Sequence, residues 1–153
     1  MAEPIITTDD DRFQCWLIDM SDAIERFQRT LPVSLSRQLD LSPDSLGIIE
    51  SIGLQKYASV EQAKQSSEAQ YVDGMARYVG QVFRKRLGGR WTIDFTDKKN
   101  AFCGLPQLKG MLGQVTQICP LTLVTASIDR RSGKFIRMVF DSCCKDADAL
   151  TKM

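Results

Sequence analysis

The stretch that decides the fold is residues 67–91, SEAQYVDGMARYVGQVFRKRLGGRW. Its apolar residues recur at steps of three and four, which predicts an amphipathic helix from Ser67 to Leu87. Three basic residues occupy the last turn, where the negative end of the helix dipole favours cations. The pair Gly88-Gly89 then suits a left-handed helix cap. Over residues 90–95 the apolar period changes to two, so the stretch predicts a long helix that turns directly into a half-buried strand.

Two more helices are predicted before this stretch. From Asp9 to Leu31 the apolar residues form a single helical stripe, which Pro32 should end because proline disfavours helical geometry in the residue before it. Ser42-Pro43 combines a capping residue with a proline at the first helical position. A short helix should follow, and we expect Gly53 to weaken or end it.

The sequence after Trp91 predicts a smaller sheet with interspersed helices. Residues 91–95 and Ala101–Leu105 flank a polar turn, as in a β-hairpin. Residues 120–131 fit a strand in part, but Pro120 at the start favours a helix. Residues 135–141 carry apolar side chains on both faces and fit a covered strand or a helix. The predicted fold is therefore α+β, with N-terminal helices packed on a small, mainly antiparallel sheet in one domain spanning residues 1–153.

Composition argues against the common kinds of catalytic and metal site. No histidine occurs among the 153 residues, which excludes Ser-His-Asp triads, HExxH zinc sites and imidazole acid–base catalysis. The five cysteines are irregularly spaced without a CxxC pair, so we expect free thiols in a reducing cytoplasm. Neither a phosphate-binding loop nor a GxGxxG motif occurs. We expect no enzymatic activity, no metal and no cofactor.

The N-terminus and the apolar runs indicate where the chain works. The first ten residues, MAEPIITTDD, lack the basic and apolar regions of a signal peptide. No stretch approaches the roughly 20 apolar residues of a membrane span. We therefore expect a cytoplasmic protein without a membrane partner.

Charge is divided unevenly along the chain. Residues 1–70 carry a net charge of −6 and residues 71–153 a net charge of +7. Such asymmetry can mark a charged partner, or two halves that attract each other within one fold. If a partner is basic, the candidate binding residues are the carboxylates on and around the predicted second helix: Asp40, Asp44, Glu50, Glu61 and Glu68.

The helix-to-strand stretch also carries a motif with three parts: Y-V-G-Q, then a single arginine, then GG-R-W. Its residues are Tyr78, Val79, Gly80, Gln81, Arg84, Gly88, Gly89, Arg90 and Trp91. It resembles the Y-V-G-E/Q…R…GG-x-W motif of small bacterial immunity proteins from toxin–immunity loci, including contact-dependent growth-inhibition systems. The resemblance extends through Gly104-Leu-Pro106 and residues 118–121, over about residues 40–131. It implies a protein that binds a cognate toxin and neutralises it by occluding its active site. Tyr78, Gly80, Arg84, Gly88, Gly89 and Trp91 are then structural residues.

Two surfaces remain candidates for the interface. A nuclease toxin needs a basic cleft for phosphates, which the carboxylates of the N-terminal half would complement. The alternative is the basic end of the third helix, where Arg84, Lys85, Arg86 and Arg90 lie beside Trp91 in the sequence. Basic residues beside an aromatic ring can bind nucleic acid. We favour the toxin partner over nucleic acid, because Trp91 falls on the apolar side of the strand alternation and the net charge of the chain is only +1.

Overall fold

The computed structural model describes residues 8–113 and 117–151. The first two helices are α1 (Asp9–Ile18) and α2 (Met20–Arg29). The single predicted helix to Leu31 is therefore wrong, because the chain turns at Asp19. The Trp16 carbonyl, near the end of α1, accepts a hydrogen bond of 2.8 Å from Nη1 of Arg77. This buried guanidinium satisfies a backbone group that the end of a helix leaves without a partner.

Two helices follow, α3 (Val33–Ser36) and α4 (Ser45–Lys56). Gly53 was predicted to weaken or end the second predicted helix; it does not end it, since Gly53 lies inside α4, which runs three residues further. A Cβ on Gly53 would lie 2.9 Å from Cε of Met75. Gly53 therefore lets the Met75 side chain approach α4 closely, where a larger residue would collide with it.

The long helix is the best predicted element. A short helix α5 (Val60–Ala63) and one 3₁₀ turn (Ser66–Glu68) lead into α6, which spans Ala69–Leu87. Gly88 and Gly89 have φ values of +74° and +94°, a region that favours glycine. Strand β1 (Arg90–Thr92) follows at once, so the predicted helix-to-strand turn is confirmed. The strand is shorter than predicted, because residues 93–95 are not in it.

The sheet has a different second strand from the one predicted. Strand β2 is Gln107–Lys109, and it pairs with β1 antiparallel, with Trp91 opposite Leu108. Residues 101–105 form turns, so the predicted strand there is wrong. Asp94 folds this segment locally, since its carboxylate accepts from the Thr96 N–H and its carbonyl from the Gly104 N–H.

The C-terminal part is helical, with α7 (Pro120–Arg130) and α8 (Phe135–Thr151). The helix favoured for residues 120–131 is confirmed, and residues 135–141 belong to a helix. The apolar residues on both faces of that segment reflect packing, since α8 contacts α4, α6 and α7.

The core is built around α6, which packs against α2, α4, α7 and α8. One cluster of buried side chains runs from Phe13 to Ala147. The N-terminal helices reach the sheet through Trp16, whose ring meets Trp91 edge-on at a centroid distance of 4.9 Å. The fold is α+β, with a two-stranded antiparallel sheet beside a helical core. Across the described ranges, none of the helices combines the length and the apolar character needed to cross a membrane.

Candidate partner-binding surface

The first residue of the Y-V-G-Q motif connects α6 to the loop before α4. Tyr78 is fully buried. Its hydroxyl accepts a hydrogen bond of 2.8 Å from the Leu41 N–H and donates one of 2.8 Å to Oγ of Ser45. Burial raises the pKa of Tyr78, so the phenol keeps its proton and can donate. Tyr78 therefore fixes the loop, which turns at Leu41 with a φ of +63°.

The rest of the motif forms one interlocked unit at the end of α6. A Cβ on Gly80 would overlap Cζ2 and Cη2 of Trp91, so the indole ring lies directly on the helix backbone. Gln81 Oε1 accepts from Nε1 of Trp91 at 3.0 Å and from Nη1 of Arg84 at 3.1 Å. Arg84 Nε in turn donates to the Gly89 carbonyl at 3.3 Å. A glutamate at position 81 would accept the same two bonds.

Gly80 leaves room for two groups from other elements. The groups that approach are the Trp91 ring and Cγ of Pro120, the latter 3.2 Å from a Cβ built at position 80. The motif residues thus hold α6, β1 and the start of α7 together, and their side chains are used within the fold.

Two of the five candidate carboxylates are exposed before α4. Hydrogen bonds from the hydroxyl and the N–H of Ser42 lower the pKa of Asp40, so this carboxylate is charged at neutral pH. Asp44 is 94% exposed and its Oδ1 lies 2.8 Å from Nη1 of Arg137. Asp40 and Asp44 therefore remain available to a partner, with Asp44 already beside a cation.

Glu50 is not a surface residue, and its predicted role in the interface is wrong. It is 1% exposed, and its carboxylate accepts from the N–H groups of Phe135 at 3.1 Å and Ile136 at 2.8 Å. These are the first residues of α8, where the helix dipole favours an anion. Glu50 therefore joins α4 to the start of α8. Glu50 lies four residues after Leu46 and three before Gly53, which places it on the apolar face of α4. This spacing was the sequence signal for its burial.

Glu61 and Glu68 lie beyond the other end of α4. Glu61 is exposed on α5. Glu68 accepts a hydrogen bond of 2.7 Å from the Tyr57 hydroxyl and lies 3.7 Å from Nζ of Lys56. A helix of 12 residues separates this pair from Asp40 and Asp44 by about 18 Å. The candidate carboxylates therefore do not form one continuous acidic patch.

The basic end of α6 has charged side chains, but the aromatic ring beside them is buried. Trp91 is only 9% exposed, and its ring packs against Gly80 and Trp16. Arg86 lies 3.3 Å from Asp148. The charges there can attract an anion, but the indole ring is too deeply buried for a base to stack on it.

Two grooves open on the surface. The first, of about 440 Å³, lies between α2 and α6, and its cations each face a carboxylate: Arg26 with Asp19, Arg77 with Asp73 and Lys56 with Glu68. The second, of about 730 Å³, lies between α4 and α8. It is lined by Gly47, Gly133, Lys134, Arg137, Met138, Asp141, Ser142 and Lys145.

The cysteines and carboxylates form no metal site among the residues that the structure describes. The five cysteines are free thiols, of which Cys15 is exposed and Cys143 is buried. Burial raises the pKa of Cys143 to about 11. Its thiolate fraction at neutral pH is accordingly low, which makes it a poor nucleophile.

Comparison with known proteins finds no significant match for this chain. No protein-family model matches the chain, and no curated protein or solved structure matches it significantly.

Proposed function

We propose that this chain is an immunity protein that works in the bacterial cytoplasm. It binds a cognate toxin domain and neutralises it by covering the active site. The observation that supports the proposal is the internal use of the Tyr78–Trp91 motif, in which Gln81 joins Trp91 to Arg84. The motif that carries the resemblance to immunity proteins is thereby used within the fold, so the proposed binding surface is made by other residues.

Inhibition of this type requires no catalytic group in the inhibitor. It requires a complementary surface of roughly 800 Å² on each partner. Of the predicted interface residues, Asp40 and Asp44 are exposed together before α4. Carboxylates in such a place speed the encounter with a basic nuclease cleft and imitate the phosphates of its substrate.

The test is protection from the product of the gene immediately upstream, because immunity genes normally lie beside the toxin gene that they silence. That product is expressed in a bacterial host from an inducible promoter, with and without this chain. We expect growth arrest without the chain and normal growth with it. Growth arrest that persists when the folded chain is present in excess would overturn the proposal.

A matched pair of variants separates the two candidate surfaces. Asp40→Lys with Asp44→Lys reverses charge on the acidic surface, and Lys85→Glu with Arg90→Glu does so at the basic end of α6. We expect the first pair to weaken protection and the second pair to leave it intact. If only the second pair abolishes protection, the basic half is the interface. The alternative of nucleic-acid binding predicts retention of labelled RNA by the chain alone, lost in the second pair.

A further inference from the structure

The groove between α4 and α8 contains a glycine that the fold itself does not explain. Glycine inside a helix costs stability relative to alanine, and packing usually accounts for it. Gly53, Gly74 and Gly80, the other glycines inside helices of the described residues, would each place a Cβ against a neighbouring side chain. A Cβ on Gly47 would have nothing within 4 Å. The empty space that it faces is the groove.

The opposite wall of the groove is one face of α8 with unpaired positive charge. Met138, Ser142 and Lys145 follow at steps of four and three along α8, and Lys134, the residue before the helix, lies four positions before Met138, so the four residues form one row. In the part of the chain that the structure describes, neither Lys134 nor Lys145 has a carboxylate within ion-pair distance, whereas Arg137 is held by Asp44 and Asp141. Met138 lies between the two lysines and is 59% exposed.

We propose that this groove is the docking site for an acidic segment of the partner protein. The segment crosses α4 at Gly47, where the lack of a side chain allows its backbone to approach closely. Its carboxylates pair with Lys134 and Lys145, and an apolar side chain covers Met138. The charge of the two free lysines selects an acidic occupant.

The contrast with the other groove supports this choice. Between α2 and α6 the three cations are already paired with carboxylates of the same chain, so an acidic ligand there would have to break an existing ion pair. Between α4 and α8 an acidic segment gains two ion pairs without breaking one. The groove also adjoins Asp44 through Arg137, so one partner can contact both the groove and the exposed carboxylates before α4.

This inference rests on the proposed function, in that it requires a protein partner. The experiment measures the affinity of the purified upstream toxin domain for the chain by titration calorimetry. Gly47→Trp places a large side chain in the groove from a position where a Cβ has no neighbouring atom within 4 Å, and Lys134→Glu with Lys145→Glu reverses the free charges. The controls make the same kinds of change on other surfaces. Gln14→Trp on α1 is the control for Gly47→Trp, and Lys64→Glu with Lys98→Glu is the control for the reversed lysines. Thermal unfolding of each variant establishes that it is folded.

We expect each groove variant to weaken binding by at least about tenfold, because a blocked or repelled contact at the centre of an interface is costly. The controls should stay within about twofold of the unmodified chain, as surface residues outside an interface do. Hydrogen exchange of the complex should show protection at residues 45–56 and 134–148, and on the toxin in a segment rich in aspartate and glutamate. Wild-type affinity in the groove variants, or the absence of any protected acidic segment on the toxin, would overturn the docking site while the proposed function stands.

Three other outcomes would overturn the proposed docking site. No binding by the unmodified chain would overturn the proposed function and the docking site together. A dimer of the chain alone that Gly47→Trp dissociates, measured by light scattering, would make a second copy the occupant. Binding of a labelled RNA of about 20 nucleotides that is lost on reversal of Lys134 and Lys145 would make the occupant a nucleic acid.

Discussion

Replacement of Trp91 by alanine tests whether the Y-V-G-Q motif serves the scaffold. The indole ring is 9% exposed, rests on Gly80, meets Trp16 edge-on and donates to Gln81. Burial of roughly 200 Å² of aromatic surface at about 25 cal/mol per Å² is worth about 5 kcal/mol. Gln81 Oε1 would keep its bond from Arg84, so no buried acceptor is left without a partner. We therefore expect Trp91→Ala to lower the free energy of unfolding by about 3–5 kcal/mol, the usual range for such truncations.

Urea unfolding followed by circular dichroism measures this loss. With a slope of about 2 kcal/mol per molar, the midpoint should fall by roughly 2 M. Trp91→Phe is the matched variant, because it keeps an aromatic ring on Gly80 but loses the N–H donor; we expect it to cost about 1–2 kcal/mol. Binding of the toxin domain should persist in the folded fraction of both proteins. An unchanged unfolding midpoint with lost binding would refute the reasoning and make Trp91 an interface residue.

Three further predictions concern other parts of the chain. Glu50→Ala should cost about 2–4 kcal/mol in urea unfolding, because two N–H groups at the start of α8, one buried and one partly buried, lose their acceptor. Binding by the folded fraction should not change, and a stable variant with weak binding would contradict the buried role. In alkylation followed by mass spectrometry at about pH 8, Cys15 should react quickly and Cys143 slowly, because the raised pKa leaves Cys143 protonated. This difference in alkylation rate should vanish on unfolding. Equal rates in the folded protein would show that Cys143 is accessible. Reversal of charge at Asp40 and Asp44 should slow association with the toxin domain and reduce its dependence on salt in stopped-flow measurements; an unchanged association rate would place the interface elsewhere.

Local signals were sufficient for the helix-to-strand region. The apolar period of α6, the basic last turn and Gly88-Gly89 all act within a few residues of one another, so the sequence alone predicted this element. The break between α1 and α2 depends on Arg77, which is distant in sequence and donates to the Trp16 carbonyl. No periodicity within residues 9–31 contains that information.

For the sheet and the candidate site, too, local sequence patterns alone did not predict the structure. Alternation placed the second strand at residues 101–105, but the pairing of Trp91 with Leu108 depends on how Asp94 folds the intervening turn. An acidic residue is usually exposed, and this general expectation outweighed the helical spacing that placed Glu50 on the apolar face of α4. The open space at Gly47 follows from how α4 and α8 pack against each other, which a single sequence does not specify.

The most direct test of the account is the residual activity of the purified upstream toxin domain at increasing molar ratios of this chain. We predict that toxin activity falls in proportion to the added chain and is lost near equimolar ratio, because one inhibitor covers one active site. Full toxin activity in the presence of a large excess of folded chain would contradict the account.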